Sequence, residues 1–151
     1  MHIALIEPEI PGNTGSIGRL CVGTATDLHL VGKLGFDISD KAVKRAGLDY
    51  WKDVRLHVHP DVDGFFAQYA EHRMFMFSSH GTERYDRVTY RPEDFLVFGC
   101  ETRGLSAEVR AKATGPLLQL TINGMIRSLN LANSASIALF EALRQQDFPG
   151  L

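Results

Sequence analysis

Short apolar runs that alternate with helical segments are the feature that most constrains the fold of this chain. Several runs, including residues 73–78 and 94–99, are too continuous for strands that expose one face to water. Parallel strands need long crossover connections, which are usually helices. The pattern therefore predicts an α/β fold, mainly a parallel sheet with helices on both faces. The predicted strands span residues 2–7, 28–32, 55–59, 73–78, 94–99 and 117–120.

Helices are predicted between these strands from capping and stop residues. Asp40 is the expected N-cap of a helix over residues 41–46 with Gly47 as its stop, and Ser106 is expected to cap a helix that runs to Lys112. Further helices are expected over residues 13–25, 61–69 and 128–145. The 151 residues contain no repeat, low-complexity stretch or linker, so residues 1–151 are expected to form one domain.

Composition excludes several classes of protein. No apolar run approaches the roughly 18 residues that a membrane span needs, and the first ten residues lack a basic, signal-like start. Cys21 and Cys100 cannot supply a disulfide framework, and no Cys/His spacing resembles a zinc site. His57 and His59 would share one side of a strand, and with no third ligand nearby they are interpreted as structural or surface residues. The sequence thus predicts a cytoplasmic protein without a metal or membrane contact.

The charge balance bears on nucleic-acid binding. Sixteen Lys and Arg residues against 18 Asp and Glu residues give a net charge of −2. Nucleic-acid binders usually have a basic balance, so composition alone disfavours that class. An RNA partner would have to be held by local basic clusters.

Glycines are concentrated in residues 8–19 and just beyond. Gly15, Gly18 and Gly23 lie in the predicted first helix, where each costs about 1 kcal/mol relative to alanine. They indicate either a loose helix start or a backbone that approaches a ligand or another helix closely. The spacing matches neither G-x-G-x-x-G nor a P-loop, so a dinucleotide or nucleoside-triphosphate site is rejected.

Two further segments follow predicted strands, and in α/β sheets ligands bind beyond the carboxyl ends of strands. One strand stops in Gly99, and Gly104 follows soon after, which is consistent with a tight turn or with room for a ligand. The last helix carries Ile137 within its polar arc. An apolar side chain flanked by Asn and Ser on that arc favours a helix–helix dimer contact.

Four pieces of the chain, in order, resemble the motifs of the SPOUT superfamily of knotted methyltransferases. The pieces are EPEIPGNTGSIGRLC near the start, KRAGLDYW at residues 44–51, FGCETRGL at residues 98–105 and RSLNLANSASIALFEALRQ at residues 127–145. The match is closest to the minimal branch of tRNA (cytidine/uridine-34-2′-O)-methyltransferases, and it covers essentially the whole chain. The resemblance implies that the part of the chain from about Phe75 onward forms a deep trefoil knot.

The resemblance also implies S-adenosylmethionine as the cofactor and no metal. Apolar residues suit the adenine ring, and glycines leave it room. The implied cofactor-binding residues are Phe77, Ser78, Gly99, Glu101, Gly104, Leu120, Ile122, Ser128, Leu129 and Asn133.

The implied reaction is 2′-O-methylation of the ribose at the wobble nucleotide, position 34, of tRNA, with tRNA-Leu isoacceptors as the expected substrates. The implied catalytic residues are Arg19, Glu101, Ser128 and Asn130. A guanidinium keeps its proton, so Arg19 is expected to fix a phosphate and stabilise the developing alkoxide. Phe140 stands where some relatives carry a tyrosine, so no hydroxyl can act there.

The implied partners are a second copy of the chain and the tRNA anticodon stem-loop. Relatives of this size are homodimers packed through their first and last helices, and each site borrows residues from the other chain. The residues expected to bind RNA are Lys44, Arg45, Arg103 and Arg127.

Three alternative interpretations remain at this point. The acceptor could be another tRNA site or a ribosomal RNA, because the motifs indicate the methyl donor better than the acceptor. The chain could be a non-catalytic knotted module that binds RNA or cofactor, although Arg19 and Glu101 are both present. A flavodoxin-like nucleotide binder would share the fold class alone.

Overall fold

The computed structural model describes residues 1–39 and 49–151 of the chain. The predicted helix over residues 41–46, with its cap Asp40 and its stop Gly47, lies outside the described residues. The same holds for Lys44 and Arg45, two of the residues expected to bind RNA.

The main sheet has five parallel strands, and the prediction of an α/β fold with a mainly parallel sheet is confirmed. The strands are β1 (His2–Ile6), β2 (Asp27–Val31), β3 (Leu56–His59), β4 (Met74–Met76) and β6 (Phe95–Phe98). Their order across the sheet is β3-β2-β1-β6-β4, so the first strand is central and the third lies at an edge. Every pairing between neighbours in this sheet is parallel.

A second, two-stranded parallel sheet contains β5 (Glu83–Arg84) and β7 (Leu118–Gln119). The strand predicted over residues 117–120 therefore forms, but it pairs with β5 and stays outside the main sheet. Its link to the main sheet is a bridge between Phe77 and Leu118, and the Ser78 N–H donates to the Leu118 carbonyl at 2.9 Å. This bridge brings the segment after β4 against the segment that contains β7.

Four helices and two 3₁₀ turns complete the described fold. The prediction that the last helix starts at Ser128 is wrong, because the Asn130 side chain accepts N–H bonds from Ala132 and Asn133 and so caps a helix that starts at Leu131. The first helix starts at Pro11, two residues before the predicted start, since proline suits a first helical position. The helices are α1 (Pro11–Gly23), α2 (Val62–Gln68), α3 (Ala107–Arg110) and α4 (Leu131–Gln145), and the 3₁₀ turns are Asp49–Asp53 and Tyr85–Arg87.

Both faces of the main sheet are buried. On one face Ile17 of α1 and Leu139 of α4 pack against strand residues such as Leu30. On the other face Phe65 of α2 packs with Phe95 and other strand residues. Complete burial of such side chains contributes about 2 kcal/mol each, which explains why the strands appear as continuous apolar runs.

The residues described by the structure include no helix that is long and apolar enough to cross a membrane. The trefoil knot concerns how the chain is threaded, which strand order does not test, and it stays a prediction.

Histidines form a hydrogen-bonded chain on the α2 face of the sheet. His2 Nδ1 lies 3.2 Å from His29 Nε2, and His29 Nδ1 lies 3.0 Å from His59 Nε2. His57 stacks on His29 with ring centroids 4.4 Å apart and bonds Asp27 at 2.8 Å. Strand register places a third imidazole, His29, opposite His57, which the sequence did not predict.

The histidine chain is a structural element of the core. The two nitrogens of His29 point to different neighbours, so the rings do not converge on one point, and no group of three or more His, Cys, Asp or Glu side chains in the described part of the chain could hold a metal ion. Burial, with a smaller effect from neighbouring imidazoles, lowers the pKa of His29 from 6.5 to about 3. Burial also lowers the pKa of His2 and of His59. The folded protein therefore holds these rings in their neutral form.

We predict that the protein loses stability as pH falls below 6.5. The unfolded chain binds a proton at His29 near pH 6.5, but the folded chain does not until about pH 3. Protonation of His29 in the unfolded chain therefore lowers the free energy of unfolding by about 1.4 kcal/mol per pH unit within that window. Urea titrations between pH 6.5 and 4.5 measure this slope above the range where carboxylates dominate.

His29→Gln keeps one donor and one acceptor but does not titrate, so its slope should be shallower by about 1 kcal/mol per pH unit. His80→Gln, at an exposed position, is the control and should keep the wild-type slope. An unchanged slope in His29→Gln would contradict the assignment.

Candidate active site

A cavity of about 830 Å³ opens beyond the carboxyl ends of β4 and β6. Its walls come from residues 77–80, 98–105, 118–120 and 127–131, with single contributions from other segments. The volume lies in the range of small-molecule sites, and the position is where α/β folds bind ligands. The cavity is therefore the candidate active site.

One wall of the cavity is a tight backbone turn between Gly99 and Gly104. A Cβ atom at Gly99 would lie 2.1 Å from the carbonyl carbon of Gly104, far inside van der Waals contact. The Gly104 N–H donates to the Cys100 carbonyl at 2.9 Å, and Gly104 has a φ of +66°. Of the two interpretations of these glycines, the tight turn is correct, and the turn itself lines the cavity.

We predict that Gly99→Ala distorts this turn and weakens ligand binding at the cavity by about tenfold or more, because its Cβ meets backbone that cannot rotate away. Calorimetric titration with S-adenosylmethionine measures the change in affinity. The matched control is Gly115→Ala, since a Cβ atom at Gly115 has no neighbour within 4 Å. Equal affinities for the two variants would show that the turn does not shape the site.

Glu101 ties this turn to the loop that precedes α1. Its carboxylate accepts the Glu9 N–H at 2.7 Å, the Ile10 N–H at 3.1 Å and the Asn13 Nδ2–H at 3.0 Å. The carboxylate thus faces three donors of the protein itself. This geometry makes Glu101 an anchor between two loops, although the residue also lines the cavity.

Asn13 connects Glu101 to the last helix. Its buried side chain donates to Glu101, and its carbonyl oxygen accepts from Asn130 Nδ2 at 2.9 Å. The Asn130 oxygen caps α4, so the amide both fixes the helix start and reaches the loop before α1. Three segments that are distant in sequence are therefore joined by one chain of charge-assisted and amide hydrogen bonds.

A second carboxylate reinforces the same junction from the other side. Glu9 accepts the Thr102 hydroxyl at 2.7 Å and the Thr102 N–H at 3.1 Å. These two hydrogen bonds hold the pKa of Glu9 below its ordinary value. Sequence reasoning did not single out Glu9 or Asn13, and the one signal it had was their position in the glycine-rich segment.

We predict that Glu101→Gln destabilises the protein by about 2 kcal/mol, because the amide NH₂ would face backbone donors where the carboxylate accepts. Thermal and urea unfolding measure the loss. Glu108→Gln, at an exposed position of α3, serves as the control and should change stability by less than about 0.5 kcal/mol. If the two variants unfolded alike, the Glu101 contacts would contribute no stability.

The structure brings together most of the residues predicted for the site. Of the predicted cofactor-binding residues all but Asn133 line the cavity, and its neighbour Ser134 lines it instead. Asn133 is exposed on the first turn of α4. The predicted residues that line the cavity are Phe77, Ser78, Gly99, Glu101, Gly104, Leu120, Ile122, Ser128, Leu129 and Asn130.

Basic side chains line the same cavity. Arg103 and Arg127, both expected to bind RNA, are among the lining residues. Arg103 lies 3.9 Å from the Glu7 carboxylate, and its side chain is mostly exposed. Sequence reasoning missed His80 and Arg110, which also line the cavity. Such a rim suits an anionic ligand.

Arg19 is the predicted catalytic residue that the structure places elsewhere. It lies on the exposed side of α1, and it is not among the described residues that line the cavity of its own chain. Its guanidinium instead lies over the ring of Tyr50. The structure of one chain therefore holds the cavity and Arg19 apart.

A mainly parallel α/β sheet with a cavity at the carboxyl ends of its strands is typical of enzymes that bind a small molecule. The sequence relatives identify the class more narrowly. The family described as the SpoU rRNA Methylase family matches residues 1–140. The chain belongs to this family, and the resemblance of its motifs to knotted methyltransferases is confirmed.

Individual relatives match over nearly their full length. The tRNA (cytidine(34)-2′-O)-methyltransferase of Methylovorus glucosotrophus is 46% identical over 98% of this chain and 97% of its own. The protein of the same name from Burkholderia pseudomallei is 43% identical over 99% of this chain and 97% of its own.

Solved structures agree with the sequence relatives. One, described as "Structural insights into the 2-OH methylation of C/U34 on tRNA", has a TM-score of 0.90 and 40% identity and covers 97% of this chain and 95% of its own. An AdoMet-bound rRNA methyltransferase from Sinorhizobium meliloti has a TM-score of 0.82 and 27% identity over 95% of this chain and 55% of its own.

Proposed function

We propose that this protein transfers the methyl group of S-adenosylmethionine to the ribose 2′-hydroxyl of nucleotide 34 in tRNA. The observation that carries the proposal is the near full-length match to relatives named for that reaction, at 46% identity in one case. The solved structure described by the methylation of C/U34 supports it, because its fold matches this chain with a TM-score of 0.90.

The residues of the cavity fit the proposed cofactor. Phe77, Leu120 and Ile122 supply apolar surface for an adenine ring, and the close contact at Gly99 leaves main chain as the wall beside them. When bound there, S-adenosylmethionine supplies a methyl group that its sulfonium centre already activates. The work left to the protein is to align the acceptor oxygen and to manage one proton.

In the proposed mechanism Arg19 acts as a charge and not as a base. Its guanidinium keeps its proton at ordinary pH, so it binds a backbone phosphate and stabilises the alkoxide as negative charge develops on the 2′-oxygen. Ser128 and Asn130 line the cavity and orient the ribose, and Glu101 holds the loops in place. Phe140 offers no hydroxyl, so no proton passes through that position.

We extend the proposal to a homodimer formed through α1 and α4. Ile137 and Phe140 on α4 are exposed by 37% and 47%. Large apolar side chains exposed in this way are typical of interfaces. A partner packed on this surface would bring its own Arg19 to the cavity, which explains why Arg19 lies away from the cavity of its own chain.

The acceptor in this proposal is the tRNA anticodon stem-loop, with tRNA-Leu isoacceptors as the finer expectation. Arg103 and Arg127 at the cavity rim are the described residues that would contact its phosphates. A net charge of −2 limits nonspecific attraction, so binding depends on these local groups. A single knotted domain acting in the cytoplasm completes the proposal.

Transfer of tritiated methyl groups to synthetic anticodon stem-loops tests the reaction directly. A stem-loop with cytidine at position 34 should be labelled, and the same stem-loop with 2′-deoxycytidine there should not. Equal labelling of both would overturn the proposal, as would binding of S-adenosylmethionine without transfer to any tRNA. A panel of isoacceptors in the same assay decides whether tRNA-Leu species are preferred.

We predict that Arg19→Ala lowers kcat by about 100-fold or more, because the charge that stabilises the alkoxide is lost, and leaves cofactor affinity unchanged. The stem-loop assay and calorimetric titration measure the two quantities. Arg87→Ala, an exposed arginine that does not line the cavity, is the matched control. Unchanged methylation by Arg19→Ala would remove the residue from the mechanism.

Mixed dimers test whether Arg19 acts across the interface. A chain with Arg19→Ala keeps a sound cavity, and a chain with Gly99→Ala keeps a sound Arg19. Refolding the two chains together should restore about a quarter of wild-type activity, since about half the dimers would be mixed and each would hold one complete site. No restoration would show that Arg19 serves its own chain.

A further inference from the structure

One motif has no role in the proposed reaction, namely the Asp-Tyr-Trp sequence at the end of KRAGLDYW. It forms the 3₁₀ turn Asp49–Asp53, which packs on α1. A Cβ atom at Gly18 would lie 2.7 Å from Cζ3 of Trp51, so a glycine is needed there for the indole to approach the helix. The turn is therefore seated on the glycine-rich side of α1.

Tyr50 makes two contacts with α1, one through its hydroxyl and one through its ring. Its hydroxyl donates to the Gly15 carbonyl at 2.8 Å. Its ring lies under the Arg19 guanidinium, whose carbon is 4.7 Å from the ring centroid, within the range of a cation–π interaction. Gly15 and Arg19 are four residues apart on one helix face, so Tyr50 spans a single turn between them.

The two contacts have different consequences for Arg19. The hydroxyl bond fixes the ring relative to the helix, and the fixed ring then favours guanidinium positions above its face. An exposed arginine otherwise populates many rotamers, which it loses when it binds a phosphate. A guanidinium held in place before the substrate arrives loses fewer, which is how preorganisation raises activity.

We propose that Tyr50 is a positioning residue that presets Arg19 for the reaction. The inference rests on the proposed function, in which Arg19 stabilises charge on the acceptor oxygen. Trp51 and Gly18 contribute by seating the turn that carries Tyr50.

Two variants separate the parts played by the ring and the hydroxyl. Tyr50→Leu removes the ring and should lower kcat by about threefold, with cofactor affinity unchanged, because a cation–π contact at an exposed site has about that strength. Tyr50→Phe loses the hydroxyl bond but keeps the ring, whose turn Trp51 still seats against Gly18, so it should lose less activity than Tyr50→Leu. Equal loss in both variants, or loss of cofactor affinity with kcat unchanged, would overturn the proposal.

A double-variant comparison asks whether Tyr50 acts through Arg19. In single-turnover assays at high enzyme concentration, Tyr50→Leu should cause no further loss when added to Arg19→Ala. A further threefold loss would show that Tyr50 acts by another route. If Arg19→Ala alone kept full activity, the catalytic role of Arg19 would be wrong although the methyl transfer stood, and the next measurement would still test the positioning.

Side-chain ¹⁵N relaxation of Arg19 Nε reports the order of the guanidinium without any reaction. We expect a restricted Nε–H vector in the wild type and in Tyr50→Phe, and a mobile one in Tyr50→Leu. Unfolding curves on the same samples show whether each variant is folded. An equally mobile Arg19 in wild type and Tyr50→Leu would overturn the proposal, whatever the activities are.

Discussion

The Glu101 carboxylate makes the contacts on which the rest of the site depends. It accepts N–H bonds from the loop before α1, and that loop and its own follow neighbouring parallel strands, β1 and β6. The bonds therefore close the carboxyl edge of the sheet at its centre. Asn13 bonds both Glu101 and Asn130, so these contacts also fix the start of α4. The Glu101 carboxylate thereby holds together walls of the cavity that come from separate parts of the chain.

Much of the fold could be predicted because its physical causes are local or periodic. Strands buried on both faces are apolar at every position, so continuous apolar runs such as β6 predicted a parallel sheet. The start of α4 was predicted wrongly because Ser128 and Asn130 are both good caps, and only tertiary contacts decide between them. The partner of β7 was not predictable, since a strand of two residues carries no pattern.

Most residues that line the cavity were named from motifs, whereas the contacts that they make were not predictable. Glu101 appears in the sequence as one carboxylate beside an arginine, and its three donors come from residues about 90 positions away. The histidine chain depends on the register of β2 against β3, which cannot be predicted from a single sequence. The contact of Tyr50 with Arg19 likewise joins two motifs that the sequence shows only as separate pieces.

The close approach of Gly99 and Gly104 has a consequence for how this protein can diverge. A wall made of main chain offers no side chain to exchange, so drift in sequence leaves its shape intact as long as the glycine remains. The rim, with residues such as His80 and Arg103, is made of side chains, which substitutions change directly. Substitutions at the rim can therefore change which acceptor binds without changing the main-chain wall of the cavity. The same backbone is then compatible with different acceptors.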